Sequence, residues 1–175
     1  MKAEGRVKDS DFSKIAFVAL GSNLGDSRQI VLDGIAQLHI FSPLPILKSS
    51  LWETTPVDCP PDSPRFVNAV AGLFMQKTES PIIFLRKLHL LERQFGRWPK
   101  KILNEPRPLD LDLIAFRNEI CNSPELILPH PRAHLRRFVL QPLNEIAPEL
   151  VLPGQGKTVA QLLAGLPDDE TVTRL

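Results

Sequence analysis

The sequence predicts an α+β fold in which helices pack on one antiparallel sheet, and three observations lead to this prediction. The chain has 175 residues, the length of one ordinary domain. With 43% hydrophobic and 23% charged residues, its composition is that of a globular protein. Apolar residues form short runs or alternate with polar residues in some segments, which is typical of strands, and recur at helical spacing in others. The two kinds of segment follow one another in a regular order along the chain.

The first half of the chain predicts a strand, a helix and a second strand. The apolar run 15–20 is typical of a buried strand, and the turn residues 21–26 follow it. Apolar side chains then recur at helical spacing over 30–38, until two prolines end the helix. Residues 46–53 predict the second strand, which is expected to pair with the next one.

The second half predicts a strand over 66–75, a helix over 82–95 and an alternating strand over 109–116. The resulting order, β-α-β-β-α-β, is that of a ferredoxin-like plait, an antiparallel sheet with both helices on one face. C-terminal additions follow this unit, among them a short basic segment and a last helix near 159–163.

Charge and cysteine content exclude several classes of protein. The 21 basic and 20 acidic residues give a net charge of +1, which argues against a nucleic-acid or membrane-surface binder. Cys59 and Cys121 make neither a disulfide framework nor a zinc site. No apolar run approaches the roughly 18 residues of a membrane span. We therefore expect a cytoplasmic protein, with a flexible tail over 1–13 and a single domain over 14–175. Our expectation for its oligomeric state is a monomer.

Two carboxylates share one face of the predicted strand 109–116. Residues two apart on a strand project to the same side, so Asp110 and Asp112 would point together while the leucines between them face the core. Such carboxylates repel each other unless a cation lies between them, and Mg²⁺ is typically held by a few carboxylates and phosphate oxygens. The solvated face of an amphipathic strand explains the same pattern equally well.

Basic residues surround this acidic pair in sequence. Arg97, Lys100 and Arg107 precede it, and metal carboxylates beside a cationic loop are what phosphoryl transfer needs. An ordinary solvated basic turn is the alternative. In the later segment 130–138, a proline that suits the first turn of a helix predicts His130 as a helix N-cap and an anion site.

A third group could hold a flat heterocycle. Phe66 and Asn68 share one face of the predicted strand 66–75, where a ring can stack and an amide can form paired hydrogen bonds. A core phenylalanine beside a turn asparagine is the plainer interpretation. The segment 154–158 has the end of a phosphate-binding glycine loop, but Val151 stands where that motif requires glycine.

Taken together, these segments resemble the 6-hydroxymethyl-7,8-dihydropterin pyrophosphokinase family. The run Pro-Arg-x-Leu-Asp-Leu-Asp is highly specific, and order and spacing match from about Ala16 to Leu152. The matching segments are Ala19–Asp26, Trp52–Pro56, Phe66–Val70, Leu91–Glu92, Gly96–Arg97, Pro106–Asp112, Leu128–Leu140, Pro142–Leu143 and Glu145–Pro148.

The resemblance implies transfer of a pyrophosphoryl group from ATP to the pterin hydroxymethyl oxygen, with release of AMP, in folate biosynthesis. It implies that Asp110 and Asp112 bind two Mg²⁺ ions and that Arg97 and Arg107 belong to a cationic loop closing over the phosphates. The implied pterin contacts are Thr54, Val57, Phe66, Asn68 and Phe138. The implied ATP-side residues are His89, Glu92, Lys100, His130 and Arg136.

The chain departs from the family pattern in the cationic loop. Pro99 stands where arginine is common, and Asn104 and Glu105 replace a Trp-Gly pair, which bears on loop closure rather than on the reaction class. Two other functions compete with the implied one. A single-stranded RNA binder on this fold is disfavoured by the acidic pair and the near-neutral charge. A different metal-dependent phosphotransferase or phosphohydrolase would need no second heterocycle site.

Overall fold

The computed structural model describes residues 12–56, 62–97, 106–168 and 171–175, so Val57 and Lys100 lie outside the described residues. The helices are α1 (Ser27–Leu38), α2 (Pro81–Gln94), α3 (Arg137–Ile146) and α4 (Val159–Ala164). The strands are β1 (Ile15–Ser22), β2 (Leu47–Lys48), β3 (Trp52–Thr54), β4 (Phe66–Phe74), β5 (Asp110–Phe116), β6 (Cys121–Asn122), β7 (Ile127–Leu128) and β8 (Val172–Arg174).

The main sheet has the strand order β5-β1-β4-β3-β8, with β2 also paired to β4, and every pairing is antiparallel. The predicted class of helices on an antiparallel sheet is confirmed. The strand predicted over 46–53 is instead split into β2 and β3. Between them the Ser49 hydroxyl accepts the Val70 N–H at 3.0 Å, and the Ser50 N–H donates to the Glu145 carboxylate at 2.9 Å, so the ladder is interrupted.

Two hydrophobic layers cover the two faces of the sheet. Helices α1 and α2 pack on one face, where Val31, Leu38, Phe84 and Leu88 are buried against alternate residues of β1. Helices α3 and α4 pack on the opposite face, against Ile15, Phe17 and other strand residues whose side chains point to that face. Because β5 is an edge strand, backbone groups along one of its sides are available to other parts of the chain.

The C-terminal additions differ in part from the prediction. Helix α4 confirms the helix expected near 159–163, whereas α3 was not predicted, because its internal Pro142 reads as a helix breaker. The prediction of His130 as a helix N-cap is wrong. The nearby element is a three-residue 3₁₀ helix that begins at Ala133, and the His130 Nδ1 accepts the Arg132 N–H at 3.2 Å within the preceding turn.

Both ends of the described chain contact the domain. Phe12, inside the predicted tail 1–13, is buried and meets the Phe17 ring edge-on with 6.1 Å between centroids. At the other end β8 pairs with β3, an addition that the sequence did not predict. Of the helices described, none has the length and apolar character needed to cross a membrane. The division into a tail and a domain over 14–175 stays a prediction.

Candidate active site

A pocket opens on the sheet face that carries α3, and small residues of β1 form its floor. In the sheet register, Gly21 is paired with Asn68 on one side and with Asp110 on the other, while Ala19 is paired with Asp112. A Cβ atom at Gly21 would lie 3.1 Å from the Asn68 Oδ1, so a larger residue would displace that amide. The pocket, with its open mouth, encloses about 750 Å³.

One side of the pocket has aromatic and amide groups. Phe66 and Asn68 project from β4, Thr54 from β3, and Phe138 from the start of α3. The Asn68 Nδ2 donates to the Thr54 Oγ1 at 2.7 Å, and both residues are buried. This bond fixes the orientation of the amide, so the pocket can bind a planar heterocycle by ring stacking and directed hydrogen bonds.

Arginines lie over both aromatic rings. The guanidinium carbon of Arg107 is 5.7 Å from the centroid of the Phe66 ring, and that of Arg136 is 5.3 Å from the centroid of the Phe138 ring. Both arginines line the same pocket as the rings. The aromatic-amide side of the pocket is therefore next to groups that attract anions.

The acidic pair confirms the predicted alternation on β5, because Asp110 and Asp112 line the pocket while Leu109, Leu111 and Leu113 are buried in the opposite layer. Asp110 forms ion pairs with Arg97 and with Arg107, whose Nε lies 3.1 Å from the Asp110 Oδ2. Asp112 has no hydrogen bond or ion pair to any other described residue. The two carboxylates therefore have different surroundings.

Arg97 reaches Asp110 because the chain turns sharply at Gly96, two residues after the end of α2. That glycine has a φ of +85°, a left-handed conformation, and the Arg97 N–H donates back to the Glu92 carbonyl at 3.1 Å. The chain turns back on itself, so the Arg97 guanidinium contacts both the Glu92 and the Asp110 carboxylates. The Glu92 carboxylate also accepts the Leu111 N–H of edge strand β5 at 2.8 Å.

Burial changes the protonation equilibria of two carboxyls. Burial raises the pKa of Glu92 to about 7, and this effect outweighs the opposing effects of the Leu111 N–H and Arg97. Burial, and then the charge of Asp110, also raises the pKa of Asp112. Negative charge is therefore costly at this end of β5 when no cation is bound.

The titration of Glu92 predicts how stability depends on pH. A carboxyl whose pKa is higher in the folded chain stabilises the fold below its ordinary pKa, and that contribution is lost as the pH rises through the folded value. For Glu92 this range extends from its ordinary value of 4.5 to about 7. Glutamine stays neutral at every pH, so the variant does not lose this contribution. We therefore expect the difference in unfolding free energy, Glu92→Gln minus wild type, to increase by about 2–3 kcal/mol as the pH rises from 4.5 to 7.5.

Urea unfolding in metal-free buffer at several pH values measures this difference, with Glu149→Gln as the matched control on an exposed glutamate. The control should show a constant difference from wild type across the range. A Glu92→Gln difference that is independent of pH would mean that Glu92 is already ionised at low pH in the folded chain.

A second pocket of about 710 Å³ lies on the other side of Asp112, with its open mouth included. His89 from α2 and His130 line it together with Asp112, which therefore borders both pockets. Burial lowers the pKa of His89 and of His130, and nearby arginines add to this effect. Two neutral imidazoles beside a carboxylate suit a polar ligand that adjoins the first pocket.

The structure brings together most residues of the proposed site and adds some that sequence reasoning missed. Thr55 and Arg132 line the first pocket without having been assigned there, whereas the family resemblance already implied that the turn at Gly21 lies beneath the site. Thr55 and Arg132 stand inside the matched segments, but only the sheet register and the turn before α3 bring them to the cavity. Arg136, assigned to the ATP side, lies in this first pocket with Phe138.

Comparison with known proteins gives consistent matches. The family model described as 7,8-dihydro-6-hydroxymethylpterin-pyrophosphokinase matches residues 17–148. The chain is 38% identical over 155 residues to the 2-amino-4-hydroxy-6-hydroxymethyldihydropteridine pyrophosphokinase of Pseudomonas aeruginosa, covering 86% of this chain and 91% of that protein. It is 37% identical over 159 residues to the folic acid synthesis protein fol1 of Pneumocystis carinii, covering 90% of this chain.

The chain spans only 21% of the length of that Pneumocystis protein and of its Schizosaccharomyces pombe counterpart. Among solved structures, wild-type HPPK-DHPS of Plasmodium falciparum, solved with pteroate, matches with a TM-score of 0.65 at 12% identity. That match covers 86% of this chain and 44% of the other, and it supports the fold alone. The family model and the Pseudomonas relative show that this chain belongs to the 7,8-dihydro-6-hydroxymethylpterin-pyrophosphokinase family.

Proposed function

We propose that this chain transfers the pyrophosphoryl group of ATP to the hydroxymethyl oxygen of 6-hydroxymethyl-7,8-dihydropterin and releases AMP, a step of folate biosynthesis. The observation that carries the proposal is that one pocket holds both an aromatic-amide region and an acidic pair with arginines. In the reaction the hydroxyl oxygen bonds to the β-phosphorus, and the bond from that phosphorus to the α-phosphate's bridging oxygen breaks. The hydroxyl proton passes to solvent.

The pterin would bind at the aromatic-amide side. Phe66 and Phe138 would stack on its two faces, and Asn68, held by Thr54, would hydrogen-bond to its edge. Thr54 and Val57 would offer backbone contacts, although Val57 lies outside the described residues. This arrangement leaves the hydroxymethyl group directed towards the acidic pair.

ATP would bind on the other side of the acidic pair. The second pocket, with His89 and His130, suits the nucleoside end, because it adjoins the first pocket at Asp112. Arg136 would attract the phosphates from within the first pocket, and Glu92 would support this side by holding Arg97. Lys100, also assigned here, lies outside the described residues.

Asp110 and Asp112 fit the two Mg²⁺ ions that the family resemblance implies. The Asp112 carboxylate has no partner among the described residues, and its raised pKa reflects burial and repulsion from Asp110. No group of three or more potential metal-binding side chains occurs in the described ranges, so phosphate oxygens and water would complete the coordination. When bound, Mg²⁺ neutralises phosphate charge.

The chain's own residues would act by positioning and by electrostatics. Arg97 and Arg107 are held at Asp110, from which they can neutralise charge on the transferred group in the transition state. The aromatic side of the pocket would hold the hydroxymethyl oxygen in line for attack. The cationic loop, which has Arg97 and Arg107 at its two ends, would close over the phosphates. Its closure would exclude water as a competing acceptor.

The antiparallel strand order β5-β1-β4-β3 supports a ferredoxin-like plait with C-terminal additions. The use of ATP and the small number of cysteines support a cytoplasmic protein. We propose a monomer that binds the two small-molecule substrates, with no nucleic-acid or membrane partner, in keeping with the net charge of +1.

Release of AMP tests this function directly. We expect purified protein to form AMP from ATP only when both 6-hydroxymethyl-7,8-dihydropterin and Mg²⁺ are present, with one AMP for each pterin pyrophosphate formed. Chromatography of the nucleotides with and without the pterin measures this, and a parallel reaction with excess chelator tests the metal. AMP formed without pterin, or no AMP with all components present, would contradict the proposal.

A further inference from the structure

The buried side chain of Asn23 connects two distant segments of the site. Asn23 directly follows β1 and is 2% exposed. Its Oδ1 accepts the Arg107 N–H at 2.9 Å, its own N–H donates to the Arg107 carbonyl at 3.2 Å, and its Nδ2 lies 3.4 Å from the Pro64 carbonyl, to which it donates. Both ends of one amide are therefore used, each towards a different segment.

The two bonds to Arg107 fix the backbone from which its side chain extends. They form a closed ring between Asn23 and Arg107, which leaves the Arg107 backbone little freedom to shift. From this position the guanidinium reaches Asp110, with 3.1 Å between Nε and Oδ2. A displaced backbone at Arg107 would carry the guanidinium away from the acidic pair.

The bond to Pro64 acts on the heterocycle side. Pro64 lies two residues before Phe66, the first residue of β4 and one wall of the pocket. The Phe66 ring and the Arg107 guanidinium are themselves in contact, 5.7 Å from centroid to guanidinium carbon. Asn23, Arg107 and the Pro64–Phe66 segment therefore form a closed triangle of contacts.

We propose that Asn23 is a positioning residue that sets the spacing between Arg107 on the phosphate side and Phe66 on the heterocycle side. It acts through Arg107 and through the start of β4, and it touches neither substrate. The inference rests on the proposed function, because it assigns those two sides of the pocket to the two substrates.

The chemistry of the contacts specifies asparagine. The position requires an acceptor towards the Arg107 N–H and a donor towards the Pro64 carbonyl on one short, uncharged side chain. Alanine removes both functions. Aspartate has the same shape and keeps the acceptor, but it places a second acceptor against the Pro64 carbonyl. The two variants therefore separate the two connections.

Steady-state kinetics of the AMP-forming reaction tests the inference. We expect Asn23→Ala to lower kcat about 10- to 100-fold, since a misplacement of about 1 Å at a reacting group costs that much, and to raise the pterin KM several-fold. Asn23→Asp should raise the pterin KM while it lowers kcat by less than Asn23→Ala does. The exposed Asn118→Ala serves as the matched control, with unchanged kinetics.

A double-mutant cycle shows whether Asn23 acts through Arg107. In an Arg107→Ala background, adding Asn23→Ala should lower kcat by less than threefold further, because the side chain that Asn23 positions is already absent. Independent effects on kcat, or an Asn23→Ala variant with wild-type kcat and pterin KM, would overturn the proposal. Lower thermal stability with unchanged kinetic constants for the folded fraction would show a purely structural role.

The same measurements distinguish failure of this inference from failure of the proposed function. Wild-type protein that forms AMP only with the pterin supports the function whatever the Asn23 variants do. Wild-type protein without that activity rejects the function. In that case the inference is rejected as well, because there are then no phosphate and pterin sides to be held in register.

Discussion

Asp112→Asn is expected to abolish pyrophosphoryl transfer while leaving the protein folded. Asp112 borders both pockets and has no hydrogen bond or ion pair among the described residues, so its charge supports no contact of the fold that the structure describes. If this charge holds Mg²⁺ on the triphosphate, its loss removes several kcal/mol of transition-state stabilisation. We expect kcat to fall by at least about 10³-fold, which corresponds to roughly 4 kcal/mol, as measured by AMP release.

The same substitution should stabilise the metal-free protein. Burial and the neighbouring Asp110 raise the pKa of Asp112, which means that its ionised form is disfavoured in the folded chain. At pH 7.5 a neutral amide avoids the cost of either burying the charged carboxylate or protonating it, so urea unfolding in chelator should show a higher unfolding free energy than wild type. Added Mg²⁺ with ATP should then stabilise wild type more than the variant, since ligands stabilise the state that binds them.

Two controls make this result specific to the position. Asp33→Asn, on the exposed face of α1, removes the same charge away from the pocket and should change neither turnover nor metal response. Asp110→Asn should also abolish turnover, but it should lower stability, because Asp110 forms ion pairs with Arg97 and Arg107. An Asp112→Asn variant with near-normal turnover would show that Asp112 does not hold a metal.

Local sequence patterns predicted the acidic pair correctly because strand alternation is a local property. Residues two apart on any strand share a face, so the projection of Asp110 and Asp112 to the pocket followed from β5 alone. Phe66 and Asn68 on β4 followed in the same way. The prediction also gave the correct type and order for β1, α1, β4, α2 and β5, because apolar periodicity is local, although β1 extends two residues further and α1 begins three residues earlier than predicted.

Contacts between distant segments were not predictable from spacing. Asn23 and Arg107 are 84 residues apart in sequence, and nothing local to either shows that they share hydrogen bonds. The pKa of Glu92 is raised because its carboxyl is buried beside edge strand β5. This burial results from the packing of α2 on the sheet, so it cannot be inferred from the local sequence. Helix α3 was missed because Pro142 is read locally as a breaker, whereas packing on the sheet stabilises the helix.

Arg97→Lys is expected to separate the stabilising role of this side chain from its role in catalysis. One terminal nitrogen of Arg97, Nη1, makes both contacts with the Glu92 and Asp110 carboxylates, and no other nitrogen of this guanidinium has a described partner. The remaining nitrogens are therefore free to reach phosphate oxygens. A lysine ammonium can satisfy the two carboxylates, but it has no second nitrogen at a fixed angle.

We therefore expect Arg97→Lys to keep the unfolding free energy within about 1 kcal/mol of wild type while it lowers kcat by roughly 10²- to 10³-fold. Arg97→Ala should lower both, because it leaves Glu92 and Asp110 without their shared cation, at a cost of about 2–3 kcal/mol. The pterin Kd, measured by calorimetry, should change less than threefold in either variant, since no described contact joins Arg97 to Phe66 or Asn68.

Arg28→Lys is the matched control, because Arg28 is exposed on α1, and it should leave turnover and stability unchanged. The decisive comparison is between Arg97→Lys and Arg97→Ala. If lysine restores turnover as well as stability, Arg97 serves only as the counterion that allows Glu92 and Asp110 to lie close together. If lysine restores stability alone, the forked guanidinium itself acts on the transferred phosphates, and neutralisation of the acidic residues is not sufficient for catalysis.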